Sequence, residues 1–216
     1  MKKIILTLSL AAACVAAQAQ NLGFLLTGSD LRSAAMAGTG VSLDAVALPT
    51  GNAAAMAFSD EKASFGASYG LWAPEGSNSS IINLGGFYSL GKLAVGLSGK
   101  YNAMPDYETF GYTGRALDSY SPKEFAAGVD ISYRLLDPLA LGVSLRLISS
   151  DLASEAQGTA VGADISAMYR LSGLSLGAAV RNLGTPVKYG KVSLAQPAMA
   201  AVGASYSVAG LTAGVE

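Results

Sequence analysis

The sequence predicts an all-β protein, a transmembrane antiparallel β-barrel of the outer-membrane type with an N-terminal plug-like segment. Three observations lead to this prediction. Apolar residues alternate with small or polar ones, the links between alternating stretches differ regularly in length, and tyrosines recur beside the short links. The composition agrees, because 51% of the residues are hydrophobic and 13% are charged, about half the charged share of an average soluble domain.

The N-terminus has the pattern of a cleaved export signal. Lys2 and Lys3 precede an apolar run from Ile4 to Ala17, and Ala17-Gln18-Ala19 fits the small-x-small cleavage pattern. The run is too short for a transmembrane helix. We therefore expect an exported protein of the outer membrane. The predicted boundaries are a signal peptide at 1–19, an N-terminal periplasmic or plug segment at 20–61 and barrel strands at 62–216.

The residue inventory excludes several classes of site. The sequence has no His, and its single Cys, Cys14, lies inside the signal. Lipidation at Cys14 is disfavoured, because the preceding residues lack the Leu that such a site prefers. Without His or Cys, the usual nucleophile triads, zinc sites and haem ligands are missing. We predict no catalytic residues, no cofactor and no metal, and the net charge of −1 predicts no nucleic-acid partner.

Nine stretches are predicted to be strands, several of them with a clear period of two. In 139–148, for example, Leu139, Leu141 and Val143 alternate with small residues. Because bacterial single-chain barrels have an even number of strands, we expect the barrel to be incomplete at the C-terminus. The nine stretches are 63–72, 80–90, 93–101, 124–135, 139–148, 160–171, 174–182, 198–207 and 210–216.

The links between these stretches alternate between short and long. Outer-membrane barrels have short periplasmic turns and longer external loops. A soluble β-sandwich also alternates in hydrophobicity, but it gives no reason for this difference in link length. The short links are 91–92, 136–138, 172–173 and 208–209, and the long ones are 73–79, 103–123, 150–158 and 184–197.

Charged residues of the strands share the phase of Gly, Ala and Ser. Because charge in hydrocarbon is costly, we expect this phase to face the barrel lumen. Asp130 and Asp164 could be paired catalytic carboxylates, but we favour ion pairs with neighbouring arginines. The predicted lumen-facing polar residues are Asp130, Arg134, Arg146, Asp164, Arg170 and Arg181.

Aromatic residues mark two further features. Four tyrosines on the apolar phase, each two or three residues before a short turn, predict an aromatic girdle in contact with outer-membrane lipid. The alternative is the ordinary β-propensity of Tyr. The girdle residues are Tyr88, Tyr133, Tyr169 and Tyr206. In the long link 103–123, a candidate partner-binding loop carries Tyr107, Phe110, Tyr112, Arg115 and Tyr120.

Residues 21–61 do not alternate. Glycines and Ala- and Met-rich stretches fill this segment. If the first strand runs outward from the periplasm, the segment begins at the periplasmic mouth of the barrel. It is long enough to enter and plug the lumen.

Several segments carry a family resemblance. Arg32 to Ser42 is a glycine-rich start, followed by Asn52-Ala53-Ala54-Ala55-Met56-Ala57. Ser121 to Ala126, Leu145 to Leu152 and Arg181 to Gly184 come later. In order and spacing these segments resemble the PorV/PorQ branch of the FadL-like outer-membrane barrels, and most closely its PorV members. The family's Asn-Pro-Ala element lacks its Pro here, and family members are longer.

The resemblance implies a non-enzymatic role in type IX protein secretion. It implies a cargo-binding shuttle between the translocon and a surface attachment complex, with the translocon and cargo proteins carrying a C-terminal signal as partners. The alternative is a FadL-like passive transporter of hydrophobic small molecules across the outer membrane. A purely structural surface protein is a third hypothesis.

Overall fold

The computed structural model describes residues 22–28, 30–43, 48, 51–72 and 78–216, and strands dominate it. The signal peptide predicted at 1–19 lies outside these residues. Two 3₁₀ helices, Gly23–Leu26 and Ala53–Phe58, and one α-helix, Leu31–Ala35, precede the strands. Among the described residues, no helix has the length and hydropathy needed to cross a membrane.

Nine strands form one antiparallel sheet in the order β1-β2-β3-β6-β7-β8-β9-β12-β13. Each strand of the sheet therefore pairs with its neighbours along the chain, as a succession of hairpins does. All nine strands expected from the sequence are found, and the all-β antiparallel prediction is confirmed. The strands are β1 (Ala63–Trp72), β2 (Ser79–Ser89), β3 (Leu93–Ala103), β4 (Tyr107–Phe110), β5 (Ala116–Tyr120), β6 (Lys123–Leu136), β7 (Leu139–Ala153), β8 (Ala156–Leu171), β9 (Leu174–Gly184), β10 (Val187–Tyr189), β11 (Val192–Leu194), β12 (Met199–Val208) and β13 (Leu211–Val215).

Two long links contain hairpins that the periodicity did not predict. β4 pairs with β5 inside 103–123, and β10 pairs with β11 inside 184–197. The link expected at 150–158 is not a loop, because β7 and β8 extend through it to a turn at residues 154–155. Asp151 of β7 pairs with Gln157 of β8, so the ladder between these strands continues past the predicted stretches.

The two faces of the sheet differ in chemistry and in exposure. The apolar face carries rows such as Leu97, Val129 and Leu145, which stand opposite one another and are about half exposed or more. The other face carries small and polar residues such as Ala140 and Ser144, which are buried. We call it the covered face. This arrangement is the reverse of a soluble half-buried sheet, in which the apolar face is the one removed from water.

The described part of the N-terminal segment, residues 22–28, 30–43, 48 and 51–58, lies on the covered face. Leu22 and Phe24 pack with Ile148, near the end of the sheet opposite the short turns. Phe58 packs with Met168 at the short-turn end. The chain therefore runs along the covered face towards the short turns.

Two glycines allow the segment to lie directly on the sheet. A Cβ at Gly142 would stand 2.3 Å from the backbone N of Ala54, and one at Gly177 would stand 1.9 Å from the carbonyl O of Val41. Both separations are far below ordinary van der Waals contact. From the sequence, the small residues of this phase were expected to leave room for something inside the barrel. In the structure they leave room for the backbone of the N-terminal segment to lie against the sheet.

The sheet is open in the described part of the chain. β1 pairs only with β2, and β13 pairs only with β12. The described strands do not form a closed barrel. The sequence predicted a barrel that is incomplete at the C-terminus. The β12–β13 ladder is also short, from Ala204 opposite Val215 to Val208 opposite Leu211.

The Gly177→Val substitution tests the close approach. We expect it to lower the free energy of unfolding by about 1–3 kcal/mol, because the added side chain overpacks against Val41. It should also expose the segment to protease. Val suits a strand, so the clash is the only cost. Chemical unfolding and limited proteolysis of the purified protein measure both effects.

Gly70→Val is the matched control. Gly70 also lies in a strand of the main sheet, but a Cβ there meets nothing within 4 Å. We expect its unfolding free energy to change by less than about 0.5 kcal/mol. Equal stability of the two variants would contradict the contact.

Candidate functional site

Charged side chains of neighbouring strands meet on the covered face. Arg146 on β7 forms an ion pair with Asp164 on β8, and the two side chains are 15% and 9% exposed. Asp164 also accepts a hydrogen bond of 2.8 Å from the backbone N–H of Asn182. Each oxygen of the Asp164 carboxylate therefore accepts a hydrogen bond, as the burial of a charged group requires. The ion pairing that we predicted for Asp164 is present.

Asp130 has different partners. It is fully buried and accepts hydrogen bonds from Ser98 Oγ at 2.8 Å and Ser144 Oγ at 2.5 Å. The two serines stand on the strands on either side, β3 and β7. The predicted ion pair with an arginine is therefore wrong for Asp130, since the register offers hydroxyl groups to its carboxylate.

Arg134 and Arg170 bind the end of the Ala53–Phe58 helix. Arg134 donates to the carbonyl of Ala57 from Nε at 3.0 Å and from Nη2, and Arg170 Nη1 donates to the carbonyl of Phe58 at 3.2 Å. The Arg134 guanidinium also lies 5.1 Å from the Phe58 ring centroid. The last carbonyls of a helix lack intrahelical partners, so these arginines satisfy them and anchor the segment.

Asn52 joins three parts of the molecule. Its side-chain oxygen accepts from the backbone N–H of Ala54 at 2.9 Å and caps the helix. Its amide donates to the carbonyls of Val41 at 2.6 Å and Ala167 at 3.2 Å. Asn52 therefore supplies the N-cap of this helix and ties it to Val41 and to the sheet.

Lys100 was missed as a site residue. Its Nζ donates to the carbonyls of Phe24 at 3.1 Å and Thr27 at 2.6 Å, at the end of the first 3₁₀ helix. The available signal was that Lys100 is the one charged residue of 93–103 and shares the phase of Ser98. Its partners lie in a segment without periodicity, so they could not be identified from the sequence.

Arg181 lies beside Glu216, with Nη2 3.9 Å from Oε1. The Glu216 carboxylate accepts hydrogen bonds from the backbone N–H groups of Gly40 at 2.5 Å and Val41 at 2.9 Å. Arg32 donates to Thr212 Oγ1 at 3.0 Å. The N-terminal segment is therefore tied to the last described strand as well as to the middle of the sheet.

The four predicted girdle tyrosines lie on the apolar face at the short-turn end. All four side chains are 39% to 54% exposed. The ladders place Tyr133 opposite Leu93 and Tyr206 opposite Leu174, each beside a short turn. The Lys62 ammonium lies 5.9 Å from the Tyr88 ring centroid. The tyrosines thus share one level of the sheet.

The predicted partner-binding residues form two groups on the β4–β5 hairpin. Tyr107 and Tyr120, at its base, are called the brace, and Phe110, Tyr112 and Arg115 are called the tip. Tyr107 and Tyr120 face each other across the β4–β5 hairpin, with ring centroids 5.8 Å apart. Tyr107 donates to the carbonyl of Leu152 at 3.0 Å, and Tyr120 donates to Asp151, which raises the pKa of Tyr120.

The tip of this hairpin is exposed. Phe110 is 62% exposed and Tyr112 is fully exposed, and Arg115 is exposed beside them. Gly114 adopts φ +75° at the turn, a conformation that favours glycine. The hairpin therefore presents two aromatic rings and a guanidinium from a base held by the brace.

A comparison with protein families identifies the chain. A family model described as type IX secretion system protein PorV matches residues 14–208, which is most of the sequence. The chain belongs to the PorV family. Comparison with curated proteins gives no match. Membership confirms the resemblance seen in the sequence and implies involvement in type IX secretion.

Asn52→Ala tests the anchoring of the PorV-family N-terminal segment. We expect a loss of about 2 kcal/mol in the free energy of unfolding, because a helix cap and two further hydrogen bonds, one of them buried, disappear. Proteolysis near residues 36–43 should accelerate. Asn78→Ala is the control, since Asn78 is exposed before β2. The anchoring role would be refuted by equal stability and equal cleavage of the two variants.

Proposed function

We propose that this chain is an outer-membrane β-barrel that acts in type IX secretion as a cargo-binding shuttle between the translocon and the surface attachment complex. The single observation that carries the proposal beyond family membership is the braced hairpin with an exposed aromatic tip. The proposed role is non-enzymatic, with the N-terminal segment as a plug in the lumen.

The exposed apolar face supports insertion into a membrane. Leu97, Leu145 and Leu147 are each more than half exposed, and such large apolar surfaces are rare on soluble monomers. Lys100, Arg146 and Asp164, in the middle of their strands, lie on the other face, which is the arrangement that hydrocarbon requires. Open sheet edges do not occur within the hydrocarbon region, so the proposal includes further pairing of the edges at β1 and β13 to close the barrel.

The position of the four girdle tyrosines supports one orientation of the sheet in the membrane. Outer-membrane barrels place short turns on the periplasmic side and aromatic girdles at the interfaces. The girdle tyrosines then contact lipid at the periplasmic interface. The β4–β5 hairpin lies at the opposite end of the sheet, where Tyr107 donates to the carbonyl of Leu152. With the short turns on the periplasmic side, this end of the sheet faces the exterior.

The hairpin tip is suited to a protein partner. Aromatic and Arg residues are enriched among the residues that dominate binding energy. Because Tyr107 and Tyr120 hold the base, less conformational entropy is lost when the tip binds. We assign Phe110, Tyr112 and Arg115 to contact with the translocon or the cargo.

The FadL-like transporter is less well supported. A path for hydrophobic molecules along the covered face would pass Arg146, Asp164 and Asp130, which are held in polar contacts. It would also require displacement of a helix bound by Arg134 and Arg170.

Leu145→Arg tests membrane insertion. Leu145 is 57% exposed near the middle of β7, and Arg at the bilayer midplane of a barrel costs about 2–4 kcal/mol. We expect less protein in the outer-membrane fraction and a smaller free energy of unfolding in lipid vesicles. Phe110→Arg is the control, since Phe110 is 62% exposed at the hairpin tip. Equal insertion of both variants would argue that the apolar face does not contact lipid.

The double variant Phe110→Ser, Tyr112→Ser tests partner binding. We expect affinity purification from mild-detergent outer membranes to recover far less translocon and cargo, because each lost anchor costs about 2 kcal/mol when it dominates binding. Secreted cargo should accumulate inside the cell.

Val192→Ser is the matched control on the other hairpin, where Val192 is 56% exposed. Its recovery of partners should equal that of the wild type. Undiminished partner recovery and secretion in the double variant would exclude the hairpin tip as the docking element.

A further inference from the structure

The β10–β11 hairpin folds back over the covered face, at the end of the sheet opposite the short turns. Val187 is fully buried and Tyr189 is 9% exposed. Both side chains belong to one packed cluster with Leu22 and Phe24 of the N-terminal segment and Ile148 of β7. The hairpin therefore covers the first described turn of the N-terminal segment together with the sheet beside it.

One glycine lets the hairpin approach the sheet. Gly158 lies on β8, and a Cβ there would stand 2.6 Å from the carbonyl O of Lys188 and 2.6 Å from the Val187 side chain. Both separations are far below ordinary van der Waals contact. A larger residue at position 158 would therefore push the hairpin away from the covered face.

The base of the hairpin is held by hydrogen bonds at a bend in the chain. The β8–β9 ladder has a bulge where Asn182 adopts φ +58°, and a bulge bends its strand. Asn182 Nδ2 donates to the carbonyl of Pro197 at 3.1 Å. Gln196 Nε2 donates to the carbonyls of Val161 at 2.8 Å and Thr185 at 2.7 Å. These bonds tie both connecting stretches of the hairpin to each other and to β8.

Beyond its base, the hairpin is held by packing on one side. Among the described strands, β10 and β11 pair only with each other, and a two-stranded hairpin by itself is marginally stable in water. Its outer side, with Lys188, Val192 and Leu194, is exposed. The hairpin therefore depends on its buried side, with Val187 and Tyr189, to stay on the sheet.

We propose that the β10–β11 hairpin is a lid that turns about the bend at Asn182 and Gln196 and closes one end of the covered face. A few residues at the end of an element are enough for such a hinge. Closed, the lid holds Leu22 and Phe24 against the sheet. Open, it uncovers them while the main sheet keeps its ladders, because β10 and β11 take no part in them. The lid goes beyond the secretion role, and only its place at the exterior end rests on the proposed orientation.

Hydrogen exchange of the full chain in detergent micelles, measured by mass spectrometry, tests the opening. We expect the amides of 22–27 and 187–194 to exchange at least about tenfold faster than the central amides of β7, because local opening costs less than global unfolding. Their exchange should respond little to low urea, since local opening exposes little surface. Exchange of both stretches as slow as that of β7 would overturn the lid.

The Gly158→Val variant is designed to hold the lid open. The added side chain meets the Lys188 carbonyl, so we expect exchange at 22–27 and 187–194 to rise by a further factor of about ten, with β7 unchanged. Gly70→Val is again the matched control, because a Cβ at Gly70 meets nothing within 4 Å. Its exchange pattern should equal that of the wild type.

Three results with Gly158→Val would also overturn the proposal. An equal rise in both stretches and in β7 would make the hairpin a fixed part of the fold. A rise at 187–194 alone would mean that the hairpin does not hold the N-terminal segment. No rise anywhere would mean that the contact at Gly158 does not keep it closed. The first measurement uses the wild-type protein, so the test remains decisive if the variant does not fold.

Discussion

The contact between the N-terminal segment and the covered face is the constraint on which the rest of the structure depends. The segment has no regular strand to offer the sheet, so its backbone carbonyls require donors from elsewhere. Lys100, Arg134 and Arg170 supply them, and Gly142 and Gly177 leave the space for the backbone to approach. The segment covers the face of the sheet that carries polar groups such as Asp130, which is fully buried.

The sequence was sufficient for the main sheet because period-two alternation is a local property of each strand. It was insufficient for β4–β5 and β10–β11, whose strands of three to five residues are too short to establish a period. The partners of charged residues were also beyond its reach. Asp164 meets an arginine and Asp130 meets two serines because of strand register, and no single strand encodes the register of its neighbours.

The molecule separates its tasks by face and by end. The apolar face and its tyrosines at one level suit a lipid environment, while the covered face holds the segment through charge and hydrogen bonds. The β4–β5 hairpin stands apart from both, braced at its base by Tyr107 and Tyr120. Under the proposed function, this separation lets a partner contact the tip without disturbing the buried polar network.

The bonds from Gly40 and Val41 to Glu216 have a consequence for the order of assembly. They join residues 175 or more positions apart in the chain, and contacts over such separations are slow to form because a long loop must first close. Glu216 reaches its place only when β13 has paired with β12. Within the described sheet, the early segment is thus fastened by a bond that requires the last of the nine strands to be in place.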